Sequence, residues 1–410
     1  MQRVRMSLPY YCKFGWQAEV VVVDTNYTDV NQDPILTESI PPSIVIHRVN
    51  ALPKKWTAKF GLGSIALRSL LYYRKKVNEL LRKKHYDLIY FSTTQFPVCI
   101  LGPYWKKRFR VPYVIDMQDP WLTDYYQDKP KTERPPKYWL AHFLNKKLEP
   151  GAMGSVDGLI AVSKPYIDTL VMRYPRCQNI PKETITFGFF ADDFRIAEHH
   201  KNTLPSILPI DETVIPVVYI GRGGTDMAEA VSHLFLGFLN GLKEHKEFQR
   251  LRFYFIGTSY ATGGHGKSTI LPIAEKLGVV QFVSEITDRI PFYQTLNTLK
   301  SASALFVPGS NDPHYTASKI YPYVMAKKPL LTIFHPASSV VSFLQKCGAG
   351  TVLTFDQEPA AIQQQVVEFL EGVINNPKAT MDFFAEKIED YSAKRMTEKQ
   401  CDLFNRVIAS

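Results

Sequence analysis

Val214-Ile215-Pro216-Val217-Val218-Tyr219-Ile220-Gly221-Arg222-Gly223-Gly224-Thr225-Asp226-Met227 decides the fold. A β-branched run stops at a glycine cluster, and an amphipathic stretch, Met227–Lys243, follows. This is a strand, a tight turn and a helix, the opening of a βαβ unit. The same alternation continues downstream. Strands are expected at Arg252–Ile256, Val280–Val283, Ala304–Val307, Leu330–Phe334 and Thr351–Thr354. Helices fall between them at Thr269–Leu277, Pro291–Lys300, Lys319–Ala326 and Ser339–Cys347. Upstream, strands are expected at Glu19–Asp24, Ile44–Arg48, Asp87–Ser92, Tyr113–Asp116, Gly158–Val162 and Thr184–Phe190, with helices at Ser64–Lys84 and Lys137–Met153.

Strands alternating with helices predict an α/β fold with parallel sheets covered on both faces. Two doubly wound, Rossmann-like domains facing a cleft account for the length of 410 residues. The polar, Pro-punctuated stretch Ala191–Ile210 reads as the linker. The expected division is 1–195, 196–384 and a C-terminal helical segment, 385–410, that crosses back to the first domain. One element is out of pattern. The chain opens with a helix-like segment, Gln2–Lys13, stopped by Gly15, where a doubly wound domain opens with a strand and a glycine-rich loop. The expectation is that one strand and one loop of the first sheet are missing.

Composition excludes several classes. Hydrophobic residues make up 45% and charged residues 21%, which is globular rather than disordered. No run of ~18 apolar residues exists to span a membrane, and Met1–Val20 lacks a secretory pattern. The five scattered cysteines form no C-x-x-C pair, which points to a reducing cytosol rather than a disulfide framework or zinc site. Residues 1–195 carry 29 Lys+Arg against 18 Asp+Glu, so the net charge of +10 resides in the first half. Basic clusters at Arg74-Lys75-Lys76, Arg82-Lys83-Lys84 and Lys106–Arg110 are solvated faces or contacts to an anionic membrane. No aromatic-and-basic motif accompanies them, so nucleic acid is not an expected partner.

Four strand ends carry candidate chemistry. Gly221-Arg222-Gly223-Gly224 can turn backbone N–H groups toward an anion, and the Arg222 fork suits phosphate oxygens. Asp226 stands where a dinucleotide fingerprint needs its third glycine. Ala261–Ser268 resembles a P-loop with Lys267 in the lysine position, but Ala261 replaces the first glycine. Asp116-Met117-Gln118-Asp119-Pro120-Trp121 combines carboxylates that accept sugar hydroxyls with an indole that stacks on a pyranose, or else is a capped turn. Ser318 and Lys319 open a helix as an anion-receptive corner, after His314, which alone is no catalyst.

With these segments placed, the chain resembles GT-B-fold glycosyltransferases of the family 4 kind. Tyr86-Asp87-Leu88-Ile89-Tyr90, Gly158–Ser163, Thr186–Phe190 with Asp193-Phe194, Val218–Arg222, and Lys319–Tyr323 with Lys328-Pro329 are similar to that family's segments in that order. Asp119-Pro120-Trp121 is similar to the D-x-R-D-P-W segment of a bacterial subgroup, with Gln118 where arginine is usual. The resemblance implies a cytoplasmic transferase, peripheral on the inner face of the membrane. It would move a sugar from a nucleotide-diphosphate donor to a glycan or lipid-linked acceptor in cell-surface polysaccharide synthesis. Retention of configuration, independence of metal and no cofactor beyond the donor co-substrate are further implications. It implies that Arg222 grips the diphosphate, with Asp119 the other catalytic candidate. Gly221, Gly223, Gly224, Lys267, Ser318, Lys319 and Tyr321 would hold the donor, and Asp116 and Trp121 the acceptor. Departures from the family are specific. His314 and Pro322 occupy the positions of two glutamates, Met227 that of a lysine, and the first glycine-rich loop is absent. Rival readings are a non-catalytic GT-B scaffold, a P-loop nucleotide hydrolase using Lys267, and a sugar-nucleotide epimerase.

Overall fold

The computed structural model describes residues 2–28, 33–57, 63–123, 127, 134, 138–261, 264–312, 315 and 317–409. The chain forms two compact units, Met1–Phe187 with Ala393–Ser410, and Gly188–Ser392.

In unit 1, β1 (Glu19–Val23) pairs in parallel with β2 (Val45–Val49). A separate parallel sheet runs β3 (Ile89–Ser92), β4 (Tyr113–Met117), β5 (Gly158–Ala161) and β6 (Lys182–Thr184), in that order. The sheet is therefore divided. An apolar cavity of about 350 Å³ lies at the division, lined by Val21–Val23 on one side and Ile89–Ser92 on the other. β4 and β5 are buried throughout and carry the core, with Trp105, Tyr113, Ile115, Leu159 and Met153 packed around them.

The helix Ala393–Ile408 belongs to this unit, although it is last in the chain. Its amphipathic face buries Met396, Cys401, Leu403, Phe404 and Val407. Gln400 ties it to the N-terminal segment, accepting from the Tyr11 hydroxyl at 2.6 Å and donating to Ser7 Oγ at 3.0 Å. Gly158 permits the close approach, because a Cβ there would sit 2.7 Å from Val407 and 3.1 Å from Val114. Gly158→Val is accordingly expected to destabilise unit 1 by about 1–3 kcal/mol through overpacking, read as a lower unfolding midpoint in urea.

In unit 2, β7 (Ile215–Ile220), β8 (Leu251–Ile256), β9 (Val283–Ile286), β10 (Ala304–Pro308), β11 (Leu330–Phe334) and β12 (Thr351–Thr354) form one parallel sheet. The order is β12-β11-β10-β7-β8-β9. Chain direction across the sheet reverses between β7 and β10. Such a switch point leaves a crevice beyond the carboxyl ends of the two strands, where ligands of open α/β sheets bind.

Three expectations shift. The stretch Ala191–Ile210 is not a plain linker. Asp192–His199 is a helix with acidic residues in its first turn, and Ile196 and Ala197 are buried. It is pinned to the helix Phe292–Ser301, because Asn297 Nδ2 donates to the carbonyls of Ala197 and Leu204, each at 2.9 Å. The strand expected at Thr184–Phe190 ends at Thr184, and beyond it only Phe189 forms a bridge, to Ser392. The strand expected at Val280–Val283 begins at Val283, after a 3-10 turn. Lys137, the expected first residue of its helix, lies outside the described residues; the helix is Tyr138–Met153.

Candidate anion site of unit 2 and a candidate cavity of unit 1

The loops after β7 and β10 converge at the switch point. The first loop continues the sheet ladder. The N–H groups of Gly221 and Gly223 donate to the carbonyls of Ile256 and Thr258, both at 2.8 Å. They are therefore not free to cradle a phosphate, contrary to expectation. Gly224 closes the turn, its carbonyl accepting from Met227 N–H at 3.1 Å. What Gly221 contributes is space. A Cβ there would collide with the ammonium of Lys319, which reaches across from the other loop.

Lys319 Nζ donates to the Tyr219 hydroxyl at 2.6 Å, and that hydroxyl donates to the Arg222 carbonyl at 2.7 Å. Tyr219 is buried. Burial first, then the nearby positive charges of Arg222 and Arg289, pull the Lys319 ammonium down to about 7. Arg222 is held by a two-pronged contact to Asp226, Nη1–Oδ1 at 3.0 Å and Nη2–Oδ2 at 2.7 Å. Its guanidinium lies 4.7 Å from the centre of the Tyr315 ring. Burial alone would raise the Asp226 carboxyl, but hydrogen bonds from Arg222 and Ser310 outweigh it and hold the group below its ordinary range. The result is two converging cations, one neutralised by an internal carboxylate and one stripped of much of its hydration. An incoming diphosphate suits both, as it can take over hydrogen bonds from Asp226 and restore the charge on Lys319.

Of the other residues expected here, Tyr321 falls elsewhere. Tyr321 is buried against Phe343 and Tyr391, with ring centres at 4.8 Å and 5.7 Å, so its side chain belongs to an aromatic core cluster. Ser318 and Lys267 are exposed. Thr262, Gly263, Pro313, His314 and Thr316 lie outside the described residues. The P-loop reading fails on Glu285. Its carboxylate accepts from the N–H groups of Thr269, Ile270 and Leu271 at 3.0, 3.0 and 2.9 Å. The helix after the loop begins only at Leu271, beyond the lysine position, and its opening amides, which could face an anion, are already held by an internal carboxylate. Lys267→Ala is expected to leave nucleotide affinity unchanged within about twofold, measured by titration calorimetry. Among the described residues no cluster of three or more His, Cys, Asp or Glu side chains is placed to hold a metal ion.

In unit 1 the strand end of β4 also differs from expectation. Asp116 is fully buried. It pairs with Arg3 at 2.9 Å and accepts from Tyr90 at 3.0 Å, Ser92 at 2.9 Å and Gln118 at 3.1 Å. It fastens the N-terminal helix Gln2–Ser7 to the sheet and cannot reach an acceptor. Trp121 is also buried; its indole lies face-on to Phe96 at 5.6 Å and donates to Asn145 at 3.1 Å. With its face covered, it offers no stacking platform. Asp119 is exposed, as is Pro120, and lies on the wall of a cavity of about 640 Å³. The cavity is otherwise mainly apolar, with Leu67, Phe96, Pro97, Leu144 and Leu148 among its lining. Partial withdrawal from water raises the Asp119 carboxyl above its usual range.

No family model matches the sequence, and no curated protein matches it. Solved structures do match. The N-terminal domain of trehalose-6-phosphate phosphatase from Candida albicans aligns with a TM-score of 0.59 at 11% identity, over 98% of this chain and 92% of that one. HepE from Anabaena, solved with UDP and glucose, aligns with a TM-score of 0.52 at 13% identity, over 99% and 93%. WaaG, a glycosyltransferase involved in lipopolysaccharide biosynthesis, aligns with a TM-score of 0.52 at 16% identity, over 98% and 94%.

The fold is GT-B.

Within this GT-B chain the expectations omit Tyr219, Asp226 and Tyr315, which are parts of the site, and Glu285, which is the partner of the amides after the second loop. One signal was available: Asp226 is four residues beyond Arg222, a spacing that allows a side-chain pair. Tyr219 reads as one more apolar strand residue, and Glu285 is distant from the amides it accepts from.

Proposed function

We propose that the chain is a glycosyltransferase of the family 4 kind, transferring a sugar from a nucleotide-diphosphate donor to a glycan or lipid-linked acceptor in cell-surface polysaccharide synthesis. The observation that carries this reading is the meeting of Arg222 and Lys319 at the switch point of unit 2, with Gly221 making room. Two cations there stabilise the charge that develops on the departing diphosphate as the glycosidic bond breaks, without a metal ion. The neighbour HepE was solved with UDP-glucose, and WaaG is a glycosyltransferase of lipopolysaccharide. The first supports a nucleotide-sugar donor, and the second supports glycosyl transfer.

Unit 1 holds the acceptor in the cavity beside Asp119, whose carboxylate accepts a hydrogen bond from the reacting hydroxyl. Configuration is retained, and the protein works in the cytoplasm at the inner face of the membrane. The test is thermal unfolding against a panel of nucleoside diphosphates and nucleotide sugars. At 100 times Kd a ligand stabilises the fold by about 2.7 kcal/mol, so a raised midpoint with one nucleotide and release of the diphosphate from its sugar ester support the reading. Binding without turnover across acceptors would favour the scaffold.

A further inference from the structure

Val20-Val21-Val22-Val23 is an unbroken apolar run, the pattern of a strand covered on both sides, yet β1 is only half-buried along its length. The reason lies in the division of the unit 1 sheet. Asp24 N–H donates to the Val49 carbonyl at 2.9 Å, and Ile89 N–H donates to the Pro112 carbonyl at 2.9 Å. Successive residues of a strand turn their N–H and C=O groups to opposite edges. Val21 and Val23 therefore turn theirs away from β2, and Tyr90 and Ser92 turn theirs away from β4. Among the described residues neither row has a strand partner, since β1 pairs with β2 alone and β3 with β4 alone. Both rows border the apolar cavity of about 350 Å³. The helix Ile65–Lys83 forms one wall, with Ala66, Val77, Leu80 and Leu81 in its lining. Tyr73 of that helix brings its hydroxyl to the Val23 N–H, a side chain standing where a strand carbonyl would.

Backbone groups withdrawn from water need partners, and an open strand edge is a template for pairing. Here two such edges border one apolar space. We infer that the space between β1 and β3 is a slot for one further β-strand, an extended, uncharged, β-branched segment of five residues, the length of β1, that joins the two sheets of unit 1 into one. Its N–H and C=O groups alternate between its two edges, so a single segment answers both rows at once, and its side chains meet the apolar wall. It lies parallel to β3, as every strand pair of unit 1 is parallel. The occupant continues two ladders already present, and its backbone is specified more closely than its side chains. An acyl chain or other purely apolar ligand would leave both rows unpaired. The segment is a partner strand from outside these 410 residues, because among the described residues β1 to β12 all have their places in a sheet, and a second folded copy has no strand to spare either.

The experiment adds to the full chain a synthetic peptide with a Val-Ile-Val-Val-Ile core, flanked by lysines for solubility and labelled for fluorescence anisotropy. The peptide is expected to bind and, near saturation, to raise the unfolding midpoint. The same peptide with proline at the middle of its core is expected to bind about tenfold more weakly or worse, because the ring removes an N–H from the ladder. Hydrogen exchange read by mass spectrometry locates the contact. With the apolar peptide, exchange is expected to slow about tenfold over 19–24 and 88–93 together, and to stay unchanged over 45–49 and 182–184, which hold the outer strands β2 and β6. No binding up to about millimolar peptide, equal binding by the proline peptide, or protection confined to one of the two inner edges or to the outer strands overturns the inference. Laurate that protects 19–24 and 88–93 as well as the peptide does shows a cavity for apolar ligands, and also overturns it. So does protection of both inner edges that rises with protein concentration in the absence of peptide, which would assign the slot to a second copy. The transferase reading is tested separately, by nucleotide binding to unit 2, and stands or falls apart from these outcomes.

Discussion

Arg222→Met is expected to weaken nucleoside-diphosphate binding by about 10- to 100-fold, the worth of one or two hydrogen bonds to a charged group. Transfer should slow further, by about 10²–10³-fold, if the guanidinium acts on the charge of the leaving group. Titration calorimetry and initial rates separate the two effects. Asp226 makes the result diagnostic. In the free protein it occupies both prongs of Arg222 at 3.0 and 2.7 Å, so it competes with the incoming phosphate. Asp226→Asn weakens that competitor and is expected to tighten diphosphate binding, whereas Arg222→Met loosens it. Were the pair merely structural, both variants would lower the unfolding midpoint and neither would move the affinity in opposite directions. Wild-type affinity in Arg222→Met removes the site from unit 2.

The second large effect is a pH dependence centred on Lys319. Its ammonium is depressed to about 7, against an unfolded value near 10.5. Between those two values the unfolded chain binds the proton and the folded chain does not, so stability rises with pH across that window. Binding of an anion works the other way, because a diphosphate beside Nζ favours the charged form. Affinity is therefore greatest below about 7 and declines above it, by up to about tenfold per pH unit where proton uptake is complete. Lys319→Met is expected to bind more weakly at pH 6.5 and to lose most of this slope. Calorimetry in buffers of different ionisation enthalpy counts the proton directly. A wild-type slope that survives in Lys319→Met would assign the proton to another group.

The fold was legible because its signals are local. Continuous β-branched and apolar runs and glycine stops mark β7 and the strands that follow, and burial on both faces accounts for their unbroken apolar character. Arg222 and Lys319 were legible as cations at strand ends. Their mutual geometry was not, because the contact of Lys319 with Tyr219 spans 100 residues and depends on the crossing at the switch point. Asp116 and Trp121 misled for a definable reason. Their residue types suit a sugar site, but whether a side chain at a strand end turns outward or into the sheet depends on its neighbours, here Arg3 and Phe96. The helix Asp192–His199 was hidden by its polar composition, and its signals were its acidic first turn and the three-to-four spacing of Asp193, Ile196 and Ala197.

The position of Ala393–Ile408 within unit 1 has a consequence for how the protein is made. A ribosome delivers residues in order, yet the segment ahead of unit 2 must wait for a helix made after unit 2 to fill its place beside β5 and receive the Tyr11 hydroxyl. The middle of the polypeptide, Gly188–Ser392, is contiguous and can mature while its elder neighbour is still incomplete. A break within Ala393–Ile408 would therefore injure unit 1 rather than the adjoining unit 2.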